Sequence, residues 1–398
     1  MSCHGKEPHR LRGIEESLKR ELWRLRHSPI GLQAAVMVPL SLLLFFWLLL
    51  HSLTLRELPV VLCDEDQSPL SRRLASMADA APGVWIVERT PSPAKAEALL
   101  LEGQVWGRIH IPRGFERAIY ASQPAVVRTT LSGTNLSADG VLTRDLQLTA
   151  STFSGGIALQ RFELLGLDKE EALARVQPIS LIDQPLFNPT LNYAHYLGPG
   201  LMAMMLLMSV LTTTLWAVGG ELRHGTAATW LFTARRSLSS ALIGKLLPYT
   251  GLHLLLAQFM LLLLIGGFHL PVRGSLLLLE AGTLLLILAY QAIALAVVAA
   301  TGNLRLSLSL GGGYGVAAFS FSGLTFPTMA MFPLVRIVSH LFPFTPYMEL
   351  MIDQTLRGAP ALYAATPLLE MGLFLLLPLP LMGRLRRHLT NPITWYRL

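Results

Sequence analysis

Charge is the scarcest commodity in this chain. Of 398 residues only 14% are charged, while 52% are hydrophobic, and the mean hydropathy is +0.49. Soluble domains carry about 25% charged residues, so the composition excludes an ordinary soluble globule and indicates an integral membrane protein with one sizeable polar insert. Cysteine is nearly absent. Cys3 and Cys63 cannot build a disulfide scaffold, and no CxxC metal site exists. No G-x-x-x-x-G-K-[ST] occurs; Gly244-Lys245 is followed by Leu246 and opens an apolar run, so the chain lacks a phosphate-cradling loop of its own. A His-Glu-x-x-His pair and a Gly-x-Ser-x-Gly elbow are missing too, and the carboxylates inside apolar runs are not paired in sequence, which argues against a membrane-embedded enzyme. The net charge of +7 could suggest nucleic acid, but charge that follows membrane topology is the simpler account.

What is present is hydrophobic length. A helix crossing about 30 Å of hydrocarbon needs roughly 20 apolar residues. Residues 30–50 supply the first such run, without one charge, behind a 29-residue basic tail holding seven Lys/Arg. No small-residue cleavage site follows, so this reads as an uncleaved anchor. Further runs at about 195–218, 246–268, 275–300, 307–327 and 361–383 give six spans. With the N-terminus inside, the cytoplasmic pieces (tail 1–29, loop 219–245, Arg305 and tail 384–398) carry 16 Lys/Arg. The short outer connections carry only Arg273, Arg336 and Arg357, so both termini are expected in the cytoplasm. On that topology Cys3 and Cys63 lie on opposite sides and cannot pair. The expected fold is a polytopic α-helical membrane protein with six transmembrane helices. It carries a mixed α/β extracytoplasmic domain (51–193) after the first, and a re-entrant or interfacial segment (328–359), broken by Pro333, Pro343 and Pro346, before the last.

Within the polar insert, "ELPVVLCDED", "GVWIVER", "VWGRIHIP" and "AVVRTTLSG" read as strands. Between them "SPLSRRLASMADA", "SPAKAEALLLEG" and "RGFERAIY" read as helices, and a long helical region runs from about Thr134 to Leu167. The domain is a substrate or partner platform, or a folded spacer. Asp64-Glu65-Asp66 could bind a cation, but adjacent acids diverge, and with Ser68-Pro69 following they suit a solvated turn and helix start.

Between the second and third runs the chain stops for "GGELRHGTAATWLF". Gly225 can take up a positive φ and end a helix, and Thr226 can cap the next. The result is a helix-turn-helix elbow with Trp230 at interfacial depth and Arg235-Arg236 at the headgroups. The plain alternative is a positive-inside loop without a partner. Charges within a span are functional hypotheses by default. Glu370, ten residues into the last run, serves either a helix-packing hydrogen bond or a substrate or gating role. Glu280 is near enough to an interface to snorkel. Glu349 and Asp353, one helical turn apart, could face an outer vestibule. Met202, Met204, Met205 and Met208 offer an adaptable apolar wall or simple packing.

Several stretches, in order, resemble the type-2 ABC exporter permeases of the bacterial subgroup with a large periplasmic domain after the first span. They are "VVLCDEDQSPLSRRL", "GRIHIPRGFERAI", "LFNPTLNYAHYLGPGLM", "ELRHGTAATWLF", "IGKLLPY" and "FSGLTFPTMAMFP". The resemblance implies that the 219–245 loop couples to a nucleotide-binding subunit, with Glu221, Arg223, Gly225 and Thr226 at the coupling positions. Gly220, Arg223 and Ala228 depart from the family's Arg-Glu-x-Glu-x-Gly-Thr-x-Glu pattern and turn the loop from acidic towards basic.

The implied protein binds no cofactor of its own; ATP and Mg belong to a separate ATPase. A second permease copy or paralogue and a periplasmic adaptor are the other expected partners, in a bacterial inner membrane. The substrate would be hydrophobic or amphipathic. The alternative is a membrane sensor or scaffold with a ligand-binding outer domain.

Overall fold

A computed structural model describes residues 7–27, 33–51, 55–176, 186–188 and 192–395. Two units emerge, one formed by Met1–Ser52 with Leu186–Leu398, the other by Leu53–Pro185. The helical unit opens with α1 (Glu7–His27) and α2 (Val38–Leu50), the latter preceded by a π-helical turn, Gln33–Met37.

The second unit is a small sheet domain. Its elements are β1 (Leu58–Asp64), α3 (Pro69–Asp79), β2 (Val84–Thr90), α4 (Pro93–Leu101), β3 (Gly107–Ile111), α5 (Phe115–Tyr120), β4 (Arg128–Leu131), α6 (Leu136–Leu164) and α7 (Lys169–Val176). Strand order is β2-β1-β3-β4; β1 runs parallel to β2 and β3, and β4 is antiparallel. Alternation along β1 sends Val60 and Leu62 to a core with α3, α5 and α6, through Leu74, Phe115 and Leu142. Val61 and Cys63 point the other way, against Ala96 of α4.

The acidic stretch after β1 is consumed by this architecture. Asp64 accepts from the amides of Asp66 and Gln67 and from the Ser71 hydroxyl. Ser68 caps α3 by accepting from the Ser71 amide. Asp66 accepts from the amides of Gly114, Phe115 and Glu116 at 2.7–3.1 Å, fixing the start of α5. Burial alone would raise the Asp66 carboxyl, but the Ser68 hydroxyl and those three amides outweigh it and hold it below the usual carboxylate range.

The helical unit resumes with α8 (Tyr193–Arg223), α9 (Ala227–Thr233), α10 (Leu238–Leu262, prolonged by a π-helical turn to Gly267), α11 (Leu276–Thr301) and α12 (Leu304–Ser320). Two short helices follow, α13 (Pro333–Ser339) and α14 (Phe344–Ile352). The chain ends in α15 (Ala365–Leu373) and α16 (Met382–Thr390).

Among the described residues, four helices are long and apolar enough to cross a membrane: Tyr193–Arg223, Leu238–Gly267, Leu276–Thr301 and Ala361–Thr390. The other two expected spans are shorter as helices. Residues 28–32 lie outside the described chain, and the apolar helix Ala35–Leu50 follows. The fifth expected span, 307–327, ends instead at Ser320. Its 17 residues rise about 26 Å, and the chain turns there through Gly323, whose φ is +84°. The last long helix is interrupted by 3-10 turns at Phe374–Leu376 and Leu379–Leu381, because Pro378 and Pro380 cannot donate into an α-helical ladder.

Replacing Asp66 with Ala removes the acceptor for three amides and should destabilise the sheet domain by about 1–2 kcal/mol at neutral pH. Because the native carboxyl titrates below its unfolded value, that advantage exists above about pH 4 and is lost as pH falls through the lowered pKa. Limited proteolysis of the full-length protein against pH should therefore separate D66A from the parent at pH 7 and bring them together in acid.

Candidate functional site

The turn between α8 and α9 follows from two residues. At the end of α8 the amide of Thr226 reaches the carbonyl of Glu221 and that of Gly225 reaches Leu222, a helix stop that needs a left-handed residue. Gly225 supplies it, with φ +65°. The expected polar loop is thus largely helical: α8 runs on through Glu221 to Arg223. Thr226 stands at the start of α9, but its side chain makes no cap. Its hydroxyl donates to Glu221 Oε2 instead.

Glu221 is fully buried, and its carboxylate is the centre of a charged cluster that α1 completes. Arg20 donates to it with both terminal nitrogens, at 2.9 and 3.0 Å. Arg24 donates to Oε1, and Lys245 of α10 does so at 2.8 Å. Lys245 also reaches Glu21 at 2.5 Å, and the Tyr249 hydroxyl donates to the other Glu21 oxygen at 2.9 Å. Two buried carboxylates therefore face three cations. Bidentate and shared contacts of this kind are what allow charges to stay in a dry interior.

Two further features seat α1. A Cβ on Gly244 would lie 2.5 Å from the Ile14 carbonyl and 2.7 Å from Ser17 Cβ, so only glycine lets α1 and α10 cross this closely. Ser17 donates to the Ala241 carbonyl and receives the Trp230 indole N–H. Trp230 is fully buried, with the Lys245 ammonium 4.8 Å from its ring centroid. Its bulk packs against α1 rather than lipid.

The opposite side of the elbow is open. Arg223 is exposed, its guanidinium over the Trp216 ring. Ala228, Thr229 and Phe232 are also exposed. Arg235 and Arg236 both adopt positive φ in the turn to α10, and Arg235 pairs with Glu16 of α1 at 3.2 Å.

A second polar group gathers around α13, α14 and α15. Glu370 lies 3.0 Å from His340 Nδ1, with both side chains partly exposed. Glu349 feels the charges of His340, Glu370, Asp353 and Arg357, and Asp353 is bound by Arg357 at 2.8 Å. Glu280 accepts from Gln258 at 2.6 Å. Met205 is half-buried in α8, while Met202 is fully packed.

Comparison with known proteins matches residues 31–382 to the family model of the ABC-2 family transporter proteins. The chain belongs to the ABC-2 transporter family. It is similar to a protein of Escherichia coli K12 named "Probable multidrug ABC transporter permease YbhR", 22% identical over 259 residues, covering 65% of this chain and 67% of the relative. The same-named protein of Escherichia coli O157:H7 matches to the same extent. No solved structure matches significantly.

In this ABC-2 chain the four elbow residues singled out from sequence divide by side. Glu221 and Thr226 point into the cluster, Gly225 makes the turn, and Arg223 faces out. The sequence reading missed α1 altogether. Seven basic residues made the tail look like a topology signal, which hid the buried register Gly13, Ser17 and Glu21. It also missed His340, whose role depends on a fold-back no local pattern announces.

Lys245→Met leaves Glu21 and Glu221 short of a cation and should destabilise the ABC-2 chain by about 3 kcal/mol, read as a lower melting temperature in detergent. Adding Glu221→Gln should recover part of that loss. Glu16→Ala, which breaks only the exposed pair to Arg235, should leave the melting temperature unchanged.

Proposed function

We propose that the chain is the transmembrane permease subunit of an ATP-binding-cassette exporter. It moves a hydrophobic or amphipathic substrate out of the cytoplasm or inner leaflet of a bacterial inner membrane. Work comes from a separate ATPase that carries ATP and Mg, and a second permease copy or paralogue frames the path. Six spans put both termini in the cytoplasm and the sheet domain in the periplasm, where an adaptor could bind. The likeness to a relative named as a multidrug permease supports the apolar substrate class.

The observation that carries this reading is the two-sided elbow. On its inner side Glu221, Lys245 and Glu21 fasten α1, α8 and α10 together. On its outer side Arg223, Thr229 and Phe232 lie free for a partner. A motor pressing on an isolated surface helix would bend it; pressing on a helix pinned by buried ion pairs displaces the ends of two long helices. Glu221 acts inside the joint, and the docking contacts belong to Arg223 and Phe232.

The test is a pull-down from gently solubilised membranes. An ATPase should copurify, and Arg223→Glu with Phe232→Ala should release it without lowering the permease's melting temperature. A single cysteine at Thr229 should stay unlabelled in intact cells by a reagent that cannot cross lipid; labelling from outside would overturn both the topology and the exporter reading. At the second polar group, Glu370→Gln should reduce export at equal abundance if the His340 pair serves gating, and unchanged export would reduce it to packing.

A further inference from the structure

On α10, Lys245, Tyr249 and His253 follow one another at four-residue intervals, which puts them on one face of the helix over about 12 Å. All three are at least nine-tenths buried. The first two belong to the ion cluster described above. The third does not, and it faces α8: His253 Nε2 lies 3.3 Å from Ser209 Oγ and 3.1 Å from Thr213 Oγ1. Ser209 and Thr213 are themselves one turn apart, and the Thr213 hydroxyl also reaches the Ser209 carbonyl at 2.6 Å. The other ring nitrogen, Nδ1, has no partner within hydrogen-bond distance among the described residues.

A buried imidazole is a costly choice where leucine would pack. What it adds is direction. Apolar side chains let neighbouring helices slip or roll with little penalty, whereas a side-chain hydrogen bond fixes register and rotation together. Lys245 and Glu221 already join α10 to α8 beside the elbow. A single joint at one level is a hinge, and a push on α9 would spread the two helices about it. A second joint 8–12 residues further along α8 removes that freedom. At its far end α8 is tied to the segment after α12, where the Tyr196 hydroxyl donates to the Leu324 carbonyl at 2.6 Å.

We propose that His253 is a positioning residue for energy coupling: its contacts to Ser209 and Thr213 lock α8 and α10 into one lever, so that displacement of the elbow arrives at the Leu324 segment undiminished. This rests on the coupling role proposed above for the elbow. His253 touches neither nucleotide nor transported molecule; it acts by holding α8.

The test uses the full-length permease with its copurified ATPase in nanodiscs. Cys3 and Cys63 are replaced by serine, and a reporter cysteine stands at Met329, an exposed position close behind Leu324. The readout is the rate of labelling by a charged maleimide before and after trapping the ATPase with ATP and vanadate. In the parent, trapping should change the rate several-fold. His253→Phe, which keeps a ring but no hydrogen bond, should abolish the change while ATPase retention and hydrolysis persist. His253→Gln, whose amide can donate or accept at the same place, should restore it. Should His253→Phe fail to fold, Thr213→Val removes one partner with little change of shape and should blunt the response.

A parent-sized response in His253→Phe or Thr213→Val would overturn the proposal, as would a stable His253→Gln that behaves like Phe. A parent that binds its ATPase and hydrolyses ATP yet shows no change at Met329 would also overturn it. Failure of any ATPase to copurify would instead bring down the exporter reading beneath it.

Discussion

A carboxylate can remain ionised in a dry interior only if cations are delivered to it from several directions at once. Glu221 is such a group, and meeting its demand organises this end of the molecule. Arg20 and Arg24 come from α1, Lys245 from α10 and the Thr226 hydroxyl from the turn itself. No two of these segments are joined by packing alone. The ion pairs, together with the close Gly244 crossing and the Ser17 bonds, make α1 part of the joint.

That arrangement separates two duties that a single surface loop would have to share. Residues facing inward fix geometry and have no latitude, since Gly244 admits α1 and Trp230 fills the remaining space. Residues facing outward, Ala228, Thr229 and Phe232, lie outside the buried cluster. The shift of the elbow from acidic to basic character, through Gly220, Arg223 and Ala228, falls mostly outside the buried cluster. A change of charge on the outer face therefore need not disturb the joint.

Much of this was legible in the sequence. Strands and helices of the sheet domain follow from alternation, the Ser68 cap and proline at helix starts. Gly225 announced the turn because few other residues adopt its φ. The long helices were legible as well, since hydropathy measures the property that the bilayer selects. Their ends were less so: Arg223 lies inside α8 because its neighbour Glu221 finds buried partners, a fact set 201 residues away by Arg20. Charge counting saw the tail's cations and could not see that two of them are consumed internally. Glu370 stood out as an unlikely resident of an apolar run, but its partner His340 lies 30 residues back, beyond any local periodicity.

The distance between Arg20 and Glu221 along the chain also has a temporal side. At roughly 5–20 residues per second of synthesis, α1 leaves the ribosome on the order of ten to forty seconds before Lys245 and Tyr249, the hydrogen-bond partners of Glu21, exist. Its final berth is created only when α8 and α10 exist, so α1, made well before them, is among the last parts of the molecule to settle.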